Sequence, residues 1–421
     1  MPTSRRITYL LGISLCALAT FFFFNNLVRS SWQHIPQAVG LGDRYPNAQE
    51  IASGENISPD LRTQRPKPAP YKDVYPSGTP KPAGSSYSRA IVIARTKEEN
   101  VDWIDEEIGD ALKPEGPFEK AVYVVDDVTA PLHTPMNKGH EVMAYLTYII
   151  DRYESLPDVS IFMHSHRFAW HNNQLMGEDS AAMIRYLSPE RVTREGYMNI
   201  RCHWDPGCPS WLHPGTIAEN QQKKEEILFA EYWTQLFPLD PIPQVLSQPC
   251  CAQFAVSKER IRALPLQRYV DLRDFIIRTP LRDSMSGRLF EYTWQYLFTG
   301  NSVVCPEMHI CYCDGFGFCF GGADQHNHWF ELRYNMREYE EELRLWKVKQ
   351  QLLEDARYDG KVDDAAELVI PEIGRDRWLK ETIATMKAEL KRLQDNAFIR
   401  GGDPKVRAEE AGRPWKEGDG Y

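Results

Sequence analysis

The runs AIVIA (90–94), AVYVV (121–125) and VSIFM (159–163) are short, apolar and partly β-branched, which is typical of buried strands. Patterns with helical spacing at 101–112 and 141–153 separate them. Strands that alternate with helices in this way usually form a parallel sheet covered by helices. The order β-α-β-α-β therefore predicts an α/β domain.

Polar residues follow each of the three runs: Arg95 and Thr96, then Asp126 and Asp127, then His164, His166 and Arg167. Ligands of open α/β sheets bind outside the carboxyl ends of the strands. We therefore predict that these residues bind a substrate. The alternative for the acidic pair is a solvated turn at the end of a strand.

The segment Asn137-Lys138-Gly139-His140-Glu141 stands at the start of the second helical pattern. Backbone N–H groups at a helix N-terminus favour anions, and a lysine adds a point charge that suits phosphate. We predict that Lys138 and Glu141 also contact the substrate. Alternatively, Glu141 caps the helix.

Three histidines, His164, His166 and His171, fall within eight residues. His164 and His166 alternate at a strand end, so their side chains point to the same side. This arrangement suits a zinc pair, a phosphate clamp that includes Arg167, or polar packing. The sequence lacks the G-x-S-x-G, P-loop and H-E-x-x-H motifs, which disfavours esterase, kinase and zincin chemistry.

Glu291 is the candidate catalytic residue. It precedes an aromatic run that includes Trp294, a predicted substrate-binding residue, within a helix predicted over Leu289 to Phe298. Aromatic neighbours partly desolvate a carboxylate and raise its pKa, which suits it to accept a proton from a hydroxyl group. The alternative is a helix cap or a residue that faces solvent.

Nine cysteines are present. Cys16 lies in the apolar N-terminal run, and the other eight are Cys202, Cys208, Cys250, Cys251, Cys305, Cys311, Cys313 and Cys319. An even number in one region predicts disulfides in an oxidising compartment, although eight cysteines allow 105 pairings. Zinc binding is the alternative, but the spacing C-x5-C-x-C-x5-C matches no ordinary zinc finger.

The N-terminal pattern predicts a membrane anchor. Arg5 and Arg6 precede an uncharged apolar run from Ile7 to Phe24, about long enough to cross a hydrocarbon core of ~30 Å. The arginines should stay cytoplasmic, which makes the chain a single-pass type II protein with a lumenal C-terminal domain, in the Golgi or elsewhere in the secretory pathway. A cleaved signal peptide is the alternative.

The predicted layout places a cytoplasmic tail at 1–6, the transmembrane anchor at 7–28 and a disordered Pro-rich stalk at 29–88. The folded α/β domain follows at 89–330, and its second half is irregular and contains the eight cysteines. A helical hairpin at 331–398 packs on this domain or forms a homo-oligomer, and a disordered tail covers 399–421.

The net charge is acidic. The chain has 49 Lys and Arg against 59 Asp and Glu, a formal charge of −10. Nonspecific nucleic-acid binding depends mainly on cationic contacts to phosphate. The composition therefore argues against a nucleic-acid partner.

Several motifs resemble one protein family. IVIARTKEENVDWI, NKGHEVMAYLTYIIDRYESLPDVSIFMHSHR, NIRCHWDPGCP, CCAQFAVSKERI and EYTWQYLFTG together resemble a fungal family of uncharacterised single-pass membrane proteins, the domain of unknown function 3431. The resemblance covers roughly Arg89 to Gly322. It implies no reaction, because that family has no assigned activity.

A more distant resemblance is to GT-A glycosyltransferases, especially the metal-independent core-2 branching enzymes. In those enzymes a strand similar to Gln253-Phe254-Ala255-Val256-Ser257 precedes an acid and an aromatic-rich helix, and Glu291 with Trp294 stands in the matching place. The resemblance implies a GT-A-like mixed sheet and a general-base role for Glu291. No D-x-D motif is present, so either Asp126 or Asp127 binds Mn²⁺ or Mg²⁺ alone or no metal is used.

Together these observations predict a glycosyltransferase that moves a sugar from a nucleotide-sugar to a glycan or other hydroxyl acceptor with inversion. Arg95, Thr96 and Asp126 would bind the donor, and Lys138, His166 and Arg167 would stabilise the leaving diphosphate. One alternative is a non-catalytic lumenal protein that binds glycans or acts as a scaffold. Another is a metal-dependent hydrolase built on His164, His166 and His171.

Overall fold

The structure is a computed structural model that describes residues 74–358 and 370–421. Its centre is a five-stranded sheet. The strands are β1 (Arg89–Arg95), β2 (Phe118–Val124), β3 (Val159–Met163), β4 (Tyr197–Asn199) and β5 (Phe254–Ser257). The three runs that the sequence assigns to strands form β1, β2 and β3.

The sheet is mixed, with the strand order β2-β1-β3-β5-β4. β1 pairs in parallel with both β2 and β3. β5 runs antiparallel to β3 and to β4, with Phe162 opposite Phe254. The predicted α/β domain with a mixed sheet is confirmed at this level.

Thirteen α-helices stand in the described parts of the chain. The first seven are α1 (Trp103–Ile108), α2 (Glu141–Arg152), α3 (Ser180–Tyr186), α4 (Pro189–Glu195), α5 (Phe229–Leu236), α6 (Lys258–Arg262) and α7 (Leu266–Arg278). The others are α8 (Asp283–Glu291), α9 (Trp294–Thr299), α10 (Met308–Phe316), α11 (Ala323–Tyr358), α12 (Arg375–Gly401) and α13 (Pro404–Glu410).

Alternate residues of the strands supply two hydrophobic cores. Ala90 and Val92 of β1 pack with α2 on one face of the sheet, and Ile91 and Ile93 pack with α1 on the other. This division follows from the period of two in a strand, because successive side chains point to opposite faces. Both faces are covered, which explains why the run is apolar throughout.

The helix predicted over Leu289 to Phe298 is interrupted. Glu291 is the last residue of α8, and α9 begins only at Trp294. Between them, Thr293 donates hydrogen bonds from its N–H (3.0 Å) and its hydroxyl (3.2 Å) to the Phe290 carbonyl. A β-branched hydroxyl residue competes for backbone groups in this way, which ends the first helix at Glu291.

The predicted C-terminal hairpin corresponds to α11 and α12, which extend beyond the predicted limits of 331–398. The last residues, predicted to be a disordered tail over 399–421, instead include the end of α12 and the helix α13. Arg413 donates to the buried Asp314 on α10 at 2.7 Å, and the Arg407 guanidinium lies 4.0 Å from the Tyr421 ring centre. These contacts between distant residues hold the segment in place. Because they depend on the tertiary fold, no local sequence pattern predicts them.

The predicted anchor at 7–28 and the stalk up to residue 73 lie outside the described residues. Within residues 74–358 and 370–421, no helix is both long enough and apolar enough to cross a membrane.

The eight cysteines outside the apolar N-terminal run form four disulfides, which confirms the prediction. The pairs are Cys202–Cys311, Cys208–Cys305, Cys250–Cys251 and Cys313–Cys319. The first two join the irregular segment after β4 to the region around α10. The third pair joins neighbours in the sequence.

Candidate active site

The loop after β1 folds around its own charged residues. Arg95 Nη1 donates to the Glu99 carbonyl at 2.9 Å and to the Thr96 carbonyl at 3.2 Å. The Glu99 carboxylate accepts the Thr96 N–H and the Ser165 hydroxyl, each at 2.7 Å. Burial raises the pKa of Glu99, but these hydrogen bonds outweigh it and hold the pKa below its usual range. Glu99, which the sequence analysis missed, therefore joins the ends of β1 and β3.

Asp126 and Asp127 stabilise the loop after β2. Asp126 Oδ1 accepts the Lys97 N–H at 2.9 Å, and Asp127 Oδ2 lies 3.4 Å from Lys97 Nζ. Asp127 Oδ1 also accepts the Thr129 hydroxyl at 2.6 Å, and hydrogen bonds from Thr129 lower the pKa of Asp127. The predicted residues at the ends of β1 and β2 are thus close together, as the sheet topology requires.

His164 and His171 form a pair beyond the end of β3. His164 Nδ1 lies 3.1 Å from His171 Nε2, so one ring nitrogen donates a hydrogen bond to the other. The outer nitrogens, His164 Nε2 and His171 Nδ1, are buried without a hydrogen-bond partner. Burial lowers the pKa of both residues, so the pair is neutral near pH 7. One outer nitrogen is then a bare acceptor and the other an N–H, and both suit a polar ligand.

His166 and Arg167 do not share that environment. His166 is exposed, and its Nε2 lies 3.8 Å from Glu99 Oε1. Arg167 forms ion pairs with Glu107 at 2.6 Å and with Asp179 at 3.0 Å. The guanidinium that the sequence assigns to a diphosphate is therefore occupied by two carboxylates.

Lys138 connects the start of α2 to a neighbouring helix. Its Nζ donates to the Thr279 carbonyl at 2.5 Å, just beyond the end of α7. The next residue, Gly139, donates its N–H to Asp283 Oδ1 at 2.6 Å. The loop before Glu141 is thereby fixed against the first turn of α8, the helix that ends at Glu291.

Glu291 is a buried carboxyl group with an unusual proton affinity. Its side chain accepts the Cys251 N–H at 2.6 Å, and the residue is 9% exposed. Burial raises its pKa to about 8, with further contributions from the charges of Glu225 and Glu141, while the Cys251 N–H opposes the rise. A carboxyl group that exchanges its proton near neutral pH is suited to general acid–base chemistry.

Glu225 is a second buried carboxyl near Glu291, and the surroundings of Glu291, Glu225 and Arg288 are here called the Glu291 pocket. Glu225 is 4% exposed, and burial raises its pKa as well. Its Oε2 lies 3.4 Å from Nη1 of Arg288, which stands one turn before Glu291 on α8. The sequence does not single out Glu225, because no local pattern distinguishes it from the neighbouring glutamates.

The chain from Gln248 to Gln253, here called the 248–253 segment, joins Glu291 to His164. Gln248 Nε2 donates to the Glu291 carbonyl at 2.5 Å. At the other end, Gln253 Oε1 accepts the His164 N–H at 3.2 Å. Both glutamines are buried and neither was predicted; the adjacent cysteines were the only local signal.

Trp294 lies in the aromatic core, three residues after Glu291 in the sequence. It is fully buried, and its ring centre lies 5.0 Å from that of Phe254 and 5.5 Å from that of Phe290. Its Nε1 is buried without a hydrogen-bond partner. The tryptophan is therefore a core residue, and its contact with a substrate stays a prediction.

Two groups of three candidate metal ligands occur among the described residues. They are Cys250, Cys251 and Glu291, and Cys313, Cys319 and Glu410. The cysteines in both groups are disulfide-bonded and offer no thiolate to a metal. Neither Asp126 nor Asp127 belongs to such a group in the described chain. The donor set therefore does not fit a dedicated Mn²⁺ or Mg²⁺ site, and we derive no catalytic step from a metal.

Two open clefts lie away from these residues, between the C-terminal helices and the domain. One of about 560 Å³ is lined by Tyr186, Trp329 and Phe398, and one of about 400 Å³ by His328 and Arg400. Neither contains a residue of the predicted site. The strand ends and the Glu291 pocket form the candidate active site, because Glu291, His164 and His171 are buried there with altered pKa values.

Comparison with known proteins gives one match. Neither a curated protein nor a solved structure matches the chain. A family model described as a protein of unknown function, DUF3431, matches residues 91–314, which include most of β1, the strands β2 to β5, the Glu291 pocket and three of the four disulfides. The chain belongs to this family.

Proposed function

We propose that the chain is a glycosyltransferase that transfers a sugar from a nucleotide-sugar to an acceptor hydroxyl, with Glu291 as the general base. The observation that carries this proposal is the buried Glu291 carboxyl, with a pKa of about 8, bound to the 248–253 segment that also binds His164 at the end of β3. Ionised, such a group is a stronger base than an ordinary glutamate.

In this mechanism the Cys251 N–H orients the Glu291 carboxylate through Oε1. The acceptor hydroxyl gives its proton to the carboxylate as its oxygen forms a bond to the anomeric carbon. The bond from that carbon to the nucleoside diphosphate breaks on the opposite face, which inverts the configuration. Because Glu291 must first lose its own proton, we expect kcat/KM to rise with pH through about 8.

The donor would bind at the carboxyl ends of β1 to β3. Arg95 and Thr96 shape the loop there, and Asp126 and the exposed His166 face the same edge. Lys138 and Arg167 bind other protein groups, so their contacts to a diphosphate require a change of partner. We propose a metal-independent reaction, with Mn²⁺ or Mg²⁺ at Asp126 or Asp127 as its alternative.

The cellular setting follows from the N-terminal sequence and is part of the proposal. A single helix at 7–28 would anchor the protein in a Golgi or other secretory membrane, with the enzyme in the lumen. The four disulfides support an oxidising compartment. Homo-oligomers would form through the C-terminal helices.

The test is a panel of nucleotide-sugars and nucleoside diphosphates added to the full chain, with Mn²⁺ or with EDTA. A ligand that binds only the folded state raises the thermal midpoint by mass action. We expect one nucleotide class to raise the midpoint in EDTA. Glu291→Gln should bind it equally well, as should the exposed control Glu231→Gln. A flat response from a folded chain would favour a non-catalytic glycan-binding protein.

The hydrolase alternative has its own test. The ring nitrogens of His164 and His171 lie 3.1 Å apart, but His166 faces Glu99, so the three histidines do not converge. One zinc ion per chain, lost in a His164→Asn/His171→Asn variant, would support that alternative against the transferase.

A further inference from the structure

Cys250 and Cys251 are adjacent in the sequence and bonded to each other, directly beside Glu291. The two sulfurs and a Glu291 carboxylate oxygen lie within 4.8 Å of one another. Both cysteines are buried, at 2% and 3% exposure. A structural disulfide usually joins distant parts of a chain, and this one joins none, so its effect must be local.

Its local effect is on the backbone. Cys251 has φ +83° and the following Ala252 has φ +48°, both in the left-handed region that side chains with a Cβ rarely adopt. The bond between the sulfurs closes a ring that includes the peptide between the two cysteines. This ring restricts the turn, which directs the Cys251 N–H to Glu291 Oε1 at 2.6 Å.

The residues on either side of the turn are held independently. The Pro249 carbonyl accepts a hydrogen bond from Asn199 Nδ2 at 2.6 Å, and the Cys250 N–H donates to the Pro206 carbonyl at 3.1 Å. Beyond the turn, Gln253 holds the His164 N–H. Opening the disulfide would therefore release Cys251 and Ala252 while the ends of the 248–253 segment stay in place.

We propose that the Cys250–Cys251 disulfide is a positioning device for Glu291: closed, it holds the Cys251 N–H against the carboxyl, and its reduction withdraws that N–H. Two equivalents of a thiol reductant supply the electrons and protons. The S–S bond breaks, two Cys thiols form, and the reductant becomes a disulfide. Free of the ring, Cys251 can leave the left-handed region.

The positioning role does not require the proposed transferase activity; only its consequence for a reaction rests on the proposed function. While the disulfide is closed, the Cys251 N–H lowers the proton affinity of Glu291, because it stabilises the carboxylate. Its loss from a pocket that stays dry should raise the pKa of Glu291 by about one unit.

The experiment measures the Glu291 pKa directly, by ¹³C NMR of the glutamate side-chain carboxyls in the full chain, with Glu291→Gln to assign the signal. The test variant is Cys250→Ala/Cys251→Ala, which adds no hydrogen-bond donor beside the carboxyl. The matched control is Cys313→Ala/Cys319→Ala, which opens a disulfide beside Glu410 instead. We expect an upward shift of about one unit in the test variant and none in the control.

A second measurement covers a test variant that does not fold. The wild-type chain is titrated before and after mild treatment with a phosphine, and mass spectrometry of alkylated peptides shows which disulfides have opened. The Glu291 pKa should rise in step with alkylation of Cys250 and Cys251. A pKa that stays constant or falls when this pair opens would overturn the proposal. Because this readout is a protonation constant, a chain without transferase activity gives the same test.

Discussion

The loops at the strand ends and the Glu291 pocket use charged residues in opposite ways. In the loops, the charged groups are partly exposed and paired, as Lys97 is with Asp127 and Arg167 is with Glu107 and Asp179. In the pocket, Glu225 and Glu291 are buried near each other, and Arg288 contacts Glu225 at 3.4 Å. The charged groups of the loops are thus paired with opposite charges. The pocket instead contains a carboxyl group whose raised pKa lets it gain or lose a proton near neutral pH.

The difference bears on function. A charge that is paired and hydrogen-bonded mainly fixes a loop, whereas a carboxyl desolvated beside a second carboxyl holds a proton near neutral pH. In the proposed mechanism, the pocket carries out the proton transfer and the loops shape the donor site. If the assignment is correct, substitutions in the two regions will have effects of different size and different pH dependence.

The largest expected effect is on the pH dependence of stability. The pKa of Glu291 is about 8 in the folded chain, against 4.5 for an ordinary glutamate, so its contribution to stability is complete below pH 4.5 and is lost as pH rises through 8. From pH 5 to pH 9 the free energy of unfolding should therefore fall by about 4 kcal/mol, and Glu291→Gln should remove this fall. Urea unfolding at pH 5 and pH 9 measures this, with Glu231→Gln as the control. Equal pH dependence in wild type and Glu291→Gln would place the carboxyl in solvent.

Arg288 provides the next effect. Replacing it with Met leaves Glu225 buried without its cation, which should lower the free energy of unfolding at pH 7 by about 3 kcal/mol. The double variant Glu225→Gln/Arg288→Met should recover most of this loss, because no carboxylate is then buried unpaired. Denaturant titration of the two variants measures the coupling. A loss below about 1 kcal/mol for Arg288→Met would mean that water already solvates Glu225.

Glu99 gives a smaller effect in the strand-end loops. Glu99→Gln weakens its hydrogen bonds from Thr96 and Ser165, and because the side chain is 30% exposed we expect a loss of only about 1 kcal/mol. The lowered pKa of Glu99 means that this contribution is present at neutral pH and is lost in acid. Thermal unfolding at pH 7 and pH 4 measures both. A loss comparable to that of Arg288→Met would remove the contrast between the two regions.

Asp127 gives the smallest effect. Its ion pair with Lys97 is at the surface, and the amide oxygen of an asparagine can still accept the hydrogen bonds from Thr129, so Asp127→Asn should leave the thermal midpoint unchanged within error. On the metal-independent account, it should also leave donor binding unchanged in Mn²⁺ and in EDTA. Loss of a Mn²⁺-dependent increase in donor binding would instead place a cation at this acid.

The sequence predicted the parts of the molecule that local patterns determine. Three strands follow from apolar runs, and the burial of Glu291 follows from its aromatic sequence neighbours, while its catalytic role stays a prediction. Glu225 and Gln253 left no such signal, since they reach the pocket only through the tertiary fold. The cysteine pairing and the ordered C-terminal segment depend on contacts between distant residues in the same way.

The assignments to Lys138 and Arg167 show the limit of such predictions. A lysine before a helix and an arginine after a strand both suit a phosphate by position and charge. In the structure Lys138 binds the Thr279 carbonyl, and Arg167 binds two carboxylates. Sequence position shows which end of the sheet a residue occupies, but not which partner has already satisfied its charge.

The central claim is that Glu291 accepts the acceptor proton during sugar transfer. The direct measurement is kcat/KM for transfer from the donor identified in the panel, from pH 6 to pH 9, for wild type, Glu291→Gln and Glu231→Gln. We predict that wild type and the Glu231→Gln control rise with pH to a plateau above about 8. We predict that Glu291→Gln is slower by about 10²- to 10⁴-fold and loses the rise. Transfer by Glu291→Gln at the wild-type rate, with the same pH profile, would contradict the account.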